Sequence, residues 1–133
     1  MDRLSILVVD DEHELANLFK EYIIGMGFDA MSLNNPSVAL DHFKQIPDRY
    51  SMVISDLRMP GMSGLELANK IREINSSVKI FLITAFDIAD LRYHPDYTAE
   101  NIDQILQKPI KLSILKKTIE ESLFNQSQIK NHD

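Results

Sequence analysis

Five short apolar runs alternate with stretches of helical periodicity along this chain, and few folds accommodate that order. The third run, Met52-Val53-Ile54-Ser55-Asp56, drives straight into a carboxylate and then into Leu57-Arg58-Met59-Pro60-Gly61, where proline and glycine stop the strand. A continuous apolar run closed by turn residues reads as a strand of a parallel sheet, buried on both faces, with Asp56 at its C-terminal end. The pattern repeats on either side. Leu4 to Val9 runs into Asp10-Asp11-Glu12, Phe28 to Leu33 makes a second strand, Val78 to Ile83 ends on Thr84-Ala85, and Ile105 to Gln107 ends on Lys108-Pro109.

Helix signals fill the intervals. Leu15, Leu18, Phe19, Tyr22, Ile23 and Met26 recur at spacings of three and four, and Gly27 supplies a C-terminal stop. Asn35-Pro36 combines a capping side chain with a residue already fixed near helical φ, and Ala39, Leu40, Phe43 and Ile46 give that helix a buried face before Pro47-Asp48 end it. Ser63-Gly64-Leu65-Glu66 matches a capping box ahead of the stripe Leu67, Ile71 and Ile74. Leu112, Leu115, Ile119 and Leu123 mark a closing helix, followed by a polar tail, residues 125–133, expected to fray. One interval breaks the rhythm: Ile88 to Arg92 is cut by His94-Pro95, and only Thr98 to Asn101 can restart a turn. The alternation predicts an α/β fold, a doubly wound five-stranded parallel sheet of order 2-1-3-4-5 with helices on both faces and a fourth helix that is short, broken or displaced.

With 133 residues the chain suits one domain, 1–124, able to bury a core without disulfides or a structural metal. It has no cysteine, which excludes thiolate metal sites and cysteine nucleophiles. Its 14 basic and 20 acidic residues leave a net charge of −6, and no basic run exceeds Lys116-Lys117, which disfavours direct contact with nucleic acid. His13, His42, His94 and His132 are scattered without metal-site spacing. The apolar start is too short for a signal peptide and no stretch could span a bilayer, so a soluble, cytoplasmic protein without membrane insertion is expected.

In a sheet of that order the ends of strands one, three, four and five converge on one edge, at the topological switch point where such folds bind ligands. Asp10, Asp11, Asp56, Thr84 and Lys108 then meet. Taken singly, each has an ordinary explanation: Asp56 as a turn residue, Asp10-Asp11-Glu12 favouring a helix N-terminus, Lys108 as a solvated charge, Thr84 as a cap. Together, three carboxylates repel one another unless a cation sits among them, and an all-oxygen ligand set favours Mg2+. A hard cation, a lysine, a hydroxyl and a free carboxylate are what phosphoryl transfer to an aspartate needs.

Val8-Val9-Asp10-Asp11-Glu12, Ser55-Asp56-Leu57-Arg58-Met59-Pro60-Gly61-Met62-Ser63-Gly64, Thr84-Ala85 and Lys108-Pro109 together resemble a response regulator receiver domain, over about residues 4 to 124. That resemblance implies a phosphoacceptor of a two-component phosphorelay, acting as a stand-alone receiver. Asp56 would accept a phosphoryl group from a histidine kinase or phosphotransfer protein. Asp11, Asp56 and the backbone carbonyl of Arg58 would hold Mg2+, with Asp10 assisting through water. Thr84 and Lys108 would bind the phosphoryl oxygens, and the Lys108-Pro109 bond would be cis. The signal would pass to an unidentified downstream protein. The domain would catalyse only its own phosphorylation and aspartyl-phosphate hydrolysis. The sequence departs from the family at Ile105, where an aromatic switch is usual, and in its fourth helix.

Two other readings use the same residues. A degenerate receiver binding a partner without phosphorylation would normally have lost an Asp, Thr or Lys, and none is lost. A phosphohydrolase of the haloacid-dehalogenase type would need an acid two residues after its nucleophile, where this chain has Arg58.

Overall fold

A computed structural model of the chain describes residues 3–131, with side chains from Arg3 to Phe124. The elements follow in the order β1 (Ser5–Val9), α1 (His13–Gly25), β2 (Asp29–Leu33), α2 (Pro36–Gln45), β3 (Met52–Asp56), α3 (Gly64–Ile74), β4 (Lys79–Thr84), α4 (Ile88–Leu91), a 3-10 turn (Ala99–Asn101), β5 (Gln104–Gln107) and α5 (Leu112–Asn131). The five strands form one sheet in the order β2-β1-β3-β4-β5, every pair parallel, as the alternation requires.

Alternate residues of the central strands face opposite layers. Ile6, Val8, Met52, Ile54, Phe81 and Ile83 pack with Phe19 and Ile23 of α1 and with Leu115 and Ile119 of α5. Leu7, Val9, Val53 and Ile80 face the other way, onto Ala39, Leu40 and Phe43 of α2 and Leu67, Ala68 and Ile71 of α3. Period two in the strands thus feeds two cores from one sheet. A third, smaller cluster joins Leu57, Leu65, Leu82 and Leu91 with Tyr97, Ile102 and Ile105 at the side of the sheet where β4 and β5 pair.

Local signals act as the sequence suggests. Asn35 Oδ1 accepts from the N–H groups of Ser37 (2.8 Å) and Val38 (3.1 Å), with Pro36 at the first helical position of α2. Gly27 takes φ = 102°, the left-handed conformation that ends α1 without a Cβ clash.

Three details differ. Leu18 is 54% exposed, and Ala16 takes a place on the buried face of α1 instead; a three-and-four spacing fits two adjacent stripes, and packing chooses between them. Ser63 Oγ accepts from Glu66 N–H at 3.2 Å, but the reciprocal bond of the capping box is not made among the described residues. The backbone of α5 stays helical to Asn131, past the boundary at 124; the expected fraying of the polar tail falls on side chains outside those described. The predicted break between Thr84 and Lys108 is present. α4 has only four residues, and the chain then returns to β5 through turns and three 3-10 residues. No helix among the described residues is long and apolar enough to cross a membrane.

Candidate functional site

Parallel strands deliver their C-terminal ends to one edge, so residues distant in sequence come together there. Val9 leads into Asp10 beside β3, Asp56 closes β3, Thr84 closes β4, and Lys108 follows β5 with its N–H on the Thr84 carbonyl at 2.7 Å. Carboxylate oxygens of Asp10, Asp11 and Asp56 all lie within 4.8 Å of one another. Lys108 Nζ reaches Asp56 Oδ1 at 3.1 Å. Asp11, Asp56, Arg58, Thr84 and Lys108 line one cavity of about 330 Å³, with Glu12 and Phe86 at its walls. Asp10 does not line it and is only 3% exposed, its Oδ1 accepting the N–H of Glu12 at 2.9 Å. Every residue singled out in the sequence is therefore at this edge.

Burial and crowding set the electrostatics. Removal from water pushes the Asp10 carboxyl up to about 6; the Glu12 N–H opposes the rise, and the negative charge of Asp56 adds to it. Asp56 is also raised above the ordinary carboxylate range by burial, although the Lys108 ammonium pulls the other way. Burial disfavours the charge on Lys108, yet the hydrogen bond and charge of Asp56, with Asp10 and Glu12, carry its pKa above the ordinary lysine value. One lysine does not neutralise so much anionic oxygen, and the cluster is suited to a small hard cation.

The surroundings hold Asp56 in place. Ser55, itself buried, donates its hydroxyl to the Asp56 carbonyl at 2.9 Å. A Cβ on Gly64 would overlap that same carbonyl oxygen, so the first residue of α3 can approach only as glycine. Thr84 is buried and its Oγ1 accepts the N–H of Phe86 at 2.9 Å, which fixes the hydroxyl beside the cavity. The Lys108-Pro109 bond is cis, as expected. Sequence reading missed Ser55 as a support. It also missed the Arg58 guanidinium, which lies 4.5 Å from the Phe86 ring centroid and bridges the loops after β3 and β4, both residues lining the cavity. The spacing offered one signal for that pair: each residue stands two places after a strand-end residue of the site.

Residues 6–120 match the family model for the response regulator receiver domain. The chain belongs to that family. Receiver domains are signalling modules of two-component systems, and the observed sheet order is that of the CheY-like fold. The chain is similar to the response regulator receiver protein CpdR of Brucella abortus, 30% identical over 119 residues that cover 90% of this chain and 96% of CpdR. It is also similar, at 27% identity over 92% of its length, to a cyclic di-GMP phosphodiesterase of Thermotoga maritima, of which it spans only 32%. Among solved structures it resembles the response regulator TrrA of Thermotoga maritima in complex with Mg2+-BeF, with 34% identity, a TM-score of 0.77, and coverage of 90% of this chain and 99% of that one. A further structure holds TrrA in complex with the histidine kinase ThkA, matched at 33% identity with a TM-score of 0.73, over 90% of this chain and 98% of that one.

Proposed function

We propose that this receiver domain, residues 1–124, is an active phosphoacceptor in which Asp56 takes a phosphoryl group from a histidine kinase or phosphotransfer protein in a Mg2+-dependent reaction. The observation that carries the reading is the Lys108 Nζ to Asp56 Oδ1 contact of 3.1 Å beside a cluster of three carboxylates. The donor set fits Mg2+: it is all oxygen and partly desolvated, and it holds more negative charge than Lys108 offsets. Asp11, Asp56 and the Arg58 backbone carbonyl would hold the ion, with Asp10 assisting through water. Bound Mg2+ supplies positive charge that offsets the charge on the phosphoryl oxygens.

The chain's own residues do the rest. Asp56 attacks phosphorus through a carboxylate oxygen; the O–P bond forms as the P–N bond to the donor imidazole breaks, and its electron pair stays on the imidazole. Lys108 releases Asp56 to bind a phosphoryl oxygen, and the Thr84 hydroxyl, oriented by Phe86 N–H, donates to another. The same pocket admits water for hydrolysis of the aspartyl phosphate, so the only reactions catalysed are its own. The similarity to TrrA, solved with Mg2+-BeF and with a histidine kinase, supports both the cation and the class of donor. The reading implies a cytoplasmic location and output through contacts with a downstream protein.

Incubation with Mg2+ and a small acyl phosphate, followed by intact mass, tests the assignment. Wild type should gain the mass of one phosphoryl group and Asp56→Asn should gain none. Undiminished labelling of Asp56→Asn would sink the choice of acceptor, and an unlabelled wild type would favour a degenerate receiver.

A further inference from the structure

Where a full fourth helix is due, the chain instead crosses from His94 to Asp103 with little hydrogen-bonded structure of its own, so its backbone groups need partners from elsewhere. α3 supplies them. Asn69 donates to the Asp96 carbonyl at 2.9 Å, and its Oδ1 accepts from the Asn101 amide at 2.8 Å. Arg72, three residues on and on the same helix face, donates through Nη2 to the Asn101 carbonyl at 2.9 Å and to Asp103 Oδ2 at 3.1 Å. Its Nη1 holds the Ser76 and Val78 carbonyls at 3.0 and 2.6 Å, so both terminal nitrogens of the fork are committed at 15% side-chain exposure. Asp103 Oδ2 in turn accepts the N–H of Ile80 at 2.7 Å and anchors the segment to β4.

The other end of the same helix rests on the acid pocket. Gly64 donates its N–H to the Leu57 carbonyl at 2.8 Å, and its missing Cβ lets the helix seat directly against the Asp56 carbonyl. Leu65, fully buried in the first turn, shares a cluster with Leu57, Tyr97 and Ile102. α3 is thus a lever of 11 residues that meets the Asp56 carbonyl at Gly64 and the irregular segment along its length, through the cluster of Leu65 and through Asn69 and Arg72.

We propose that α3 couples the state of the Asp56 pocket to the segment 94–103, with Asn69 and Arg72 as the positioning residues that transmit the displacement. The inference rests on the pocket binding Mg2+, as argued above, but half of its test does not. Amide hydrogen exchange on metal-free Gly64→Ala, where the new methyl forces α3 away from Asp56, should show faster exchange from Asp96 to Asp103, because one continuous helix spans the distance. Unchanged exchange there overturns the proposal. Should Gly64→Ala not fold, Asn69→Ala and Arg72→Met decide the matter from the other end. Coupling is reciprocal, so loosening the segment should change Mg2+ affinity by roughly two- to thirtyfold. A variant that loosens 94–103 while Mg2+ affinity stays at the wild-type value would show a mere brace and overturn the lever. A wild type that takes up no Mg2+ refutes the metal assignment instead, and the exchange measurement on Gly64→Ala or, in its place, exchange at Asp56 to Gly64 in Arg72→Met then decides the coupling alone.

Discussion

Replacing Asp10 with asparagine should make the metal-free protein more stable, although it removes a residue from the functional cluster. Asp10 is almost wholly buried, and its Oδ1 accepts the Glu12 N–H at 2.9 Å, an acceptor that the asparagine carbonyl retains. What the substitution removes is a carboxylate whose pKa is carried from 3.8 to about 6. A rise of that size corresponds to about 3 kcal/mol of native-state destabilisation once the group ionises, and side-chain relaxation lowers the expected gain to about half of that. The sign follows from proton counting. Between pH 3.8 and about 6 folded Asp10 holds a proton that the unfolded chain has released, so stability falls as pH rises through this window and stays low above it. Asparagine does not titrate, so Asp10→Asn should match wild type near pH 4 and exceed it at pH 7. Urea melts of both proteins in chelator, at several pH values from 4 to 7, measure the difference directly. Saturating Mg2+ should narrow it, because a ligand bound only by the folded state stabilises the protein that binds it better. A gain equal at pH 4 and pH 7 would assign the effect to packing, and a variant no more stable than wild type at pH 7 would refute the electrostatic reasoning.

Asp11→Ala should lose Mg2+-dependent labelling yet be no less stable without metal, because the Asp11 charge raises both Asp10 and Asp56; a clear drop in its melting temperature in chelator would mark Asp11 as structural. Thr84→Ala should still take phosphoryl on Asp56 by intact mass but fail to alter hydrogen exchange between Asp87 and Tyr93, since the hydroxyl links the pocket to the Phe86 loop that leads into α4; an exchange response equal to that of wild type would remove Thr84 from the path. Ile105 is β-branched, has no hydroxyl and packs with Leu82 and Leu91, so exchange at Ile105 to Gln107 should stay the same on phosphorylation. Asn35→Ala should cost about 1 kcal/mol in a urea melt through loss of two accepted N–H bonds, with labelling unaffected.

The chemistry was legible in the sequence because a parallel sheet converts strand order into proximity. Once Asp10, Asp56, Thr84 and Lys108 were each placed at a strand end, the order β2-β1-β3-β4-β5 left them no choice but to meet. The strands themselves were legible because burial on both faces removes polar residues from Leu7, Ile54 or Phe81 alike, whichever layer each one feeds. Helix faces were less so. Leu18 satisfies the same spacing rule as Phe19, and only packing against the sheet and α5 distinguishes the one left exposed from the one buried.

Asn69 and Arg72 show where such reading stops. Both sit on a helix whose apolar stripe is already supplied by Leu67 and Ile71, so in sequence they look like solvent-facing residues. Their backbone partners are carbonyls 27 and 29 residues away, and a carbonyl is present at every position, so no residue type announces those contacts. The need for such partners was nevertheless written in the chain. His94-Pro95 cuts the fourth helix short, and backbone groups denied a place in it have to be satisfied by whatever packs beside them. A broken helix in a sequence therefore predicts polar side chains on its neighbour that are half-buried and committed, and in this fold the neighbour is the helix that also touches the Asp56 carbonyl through a glycine.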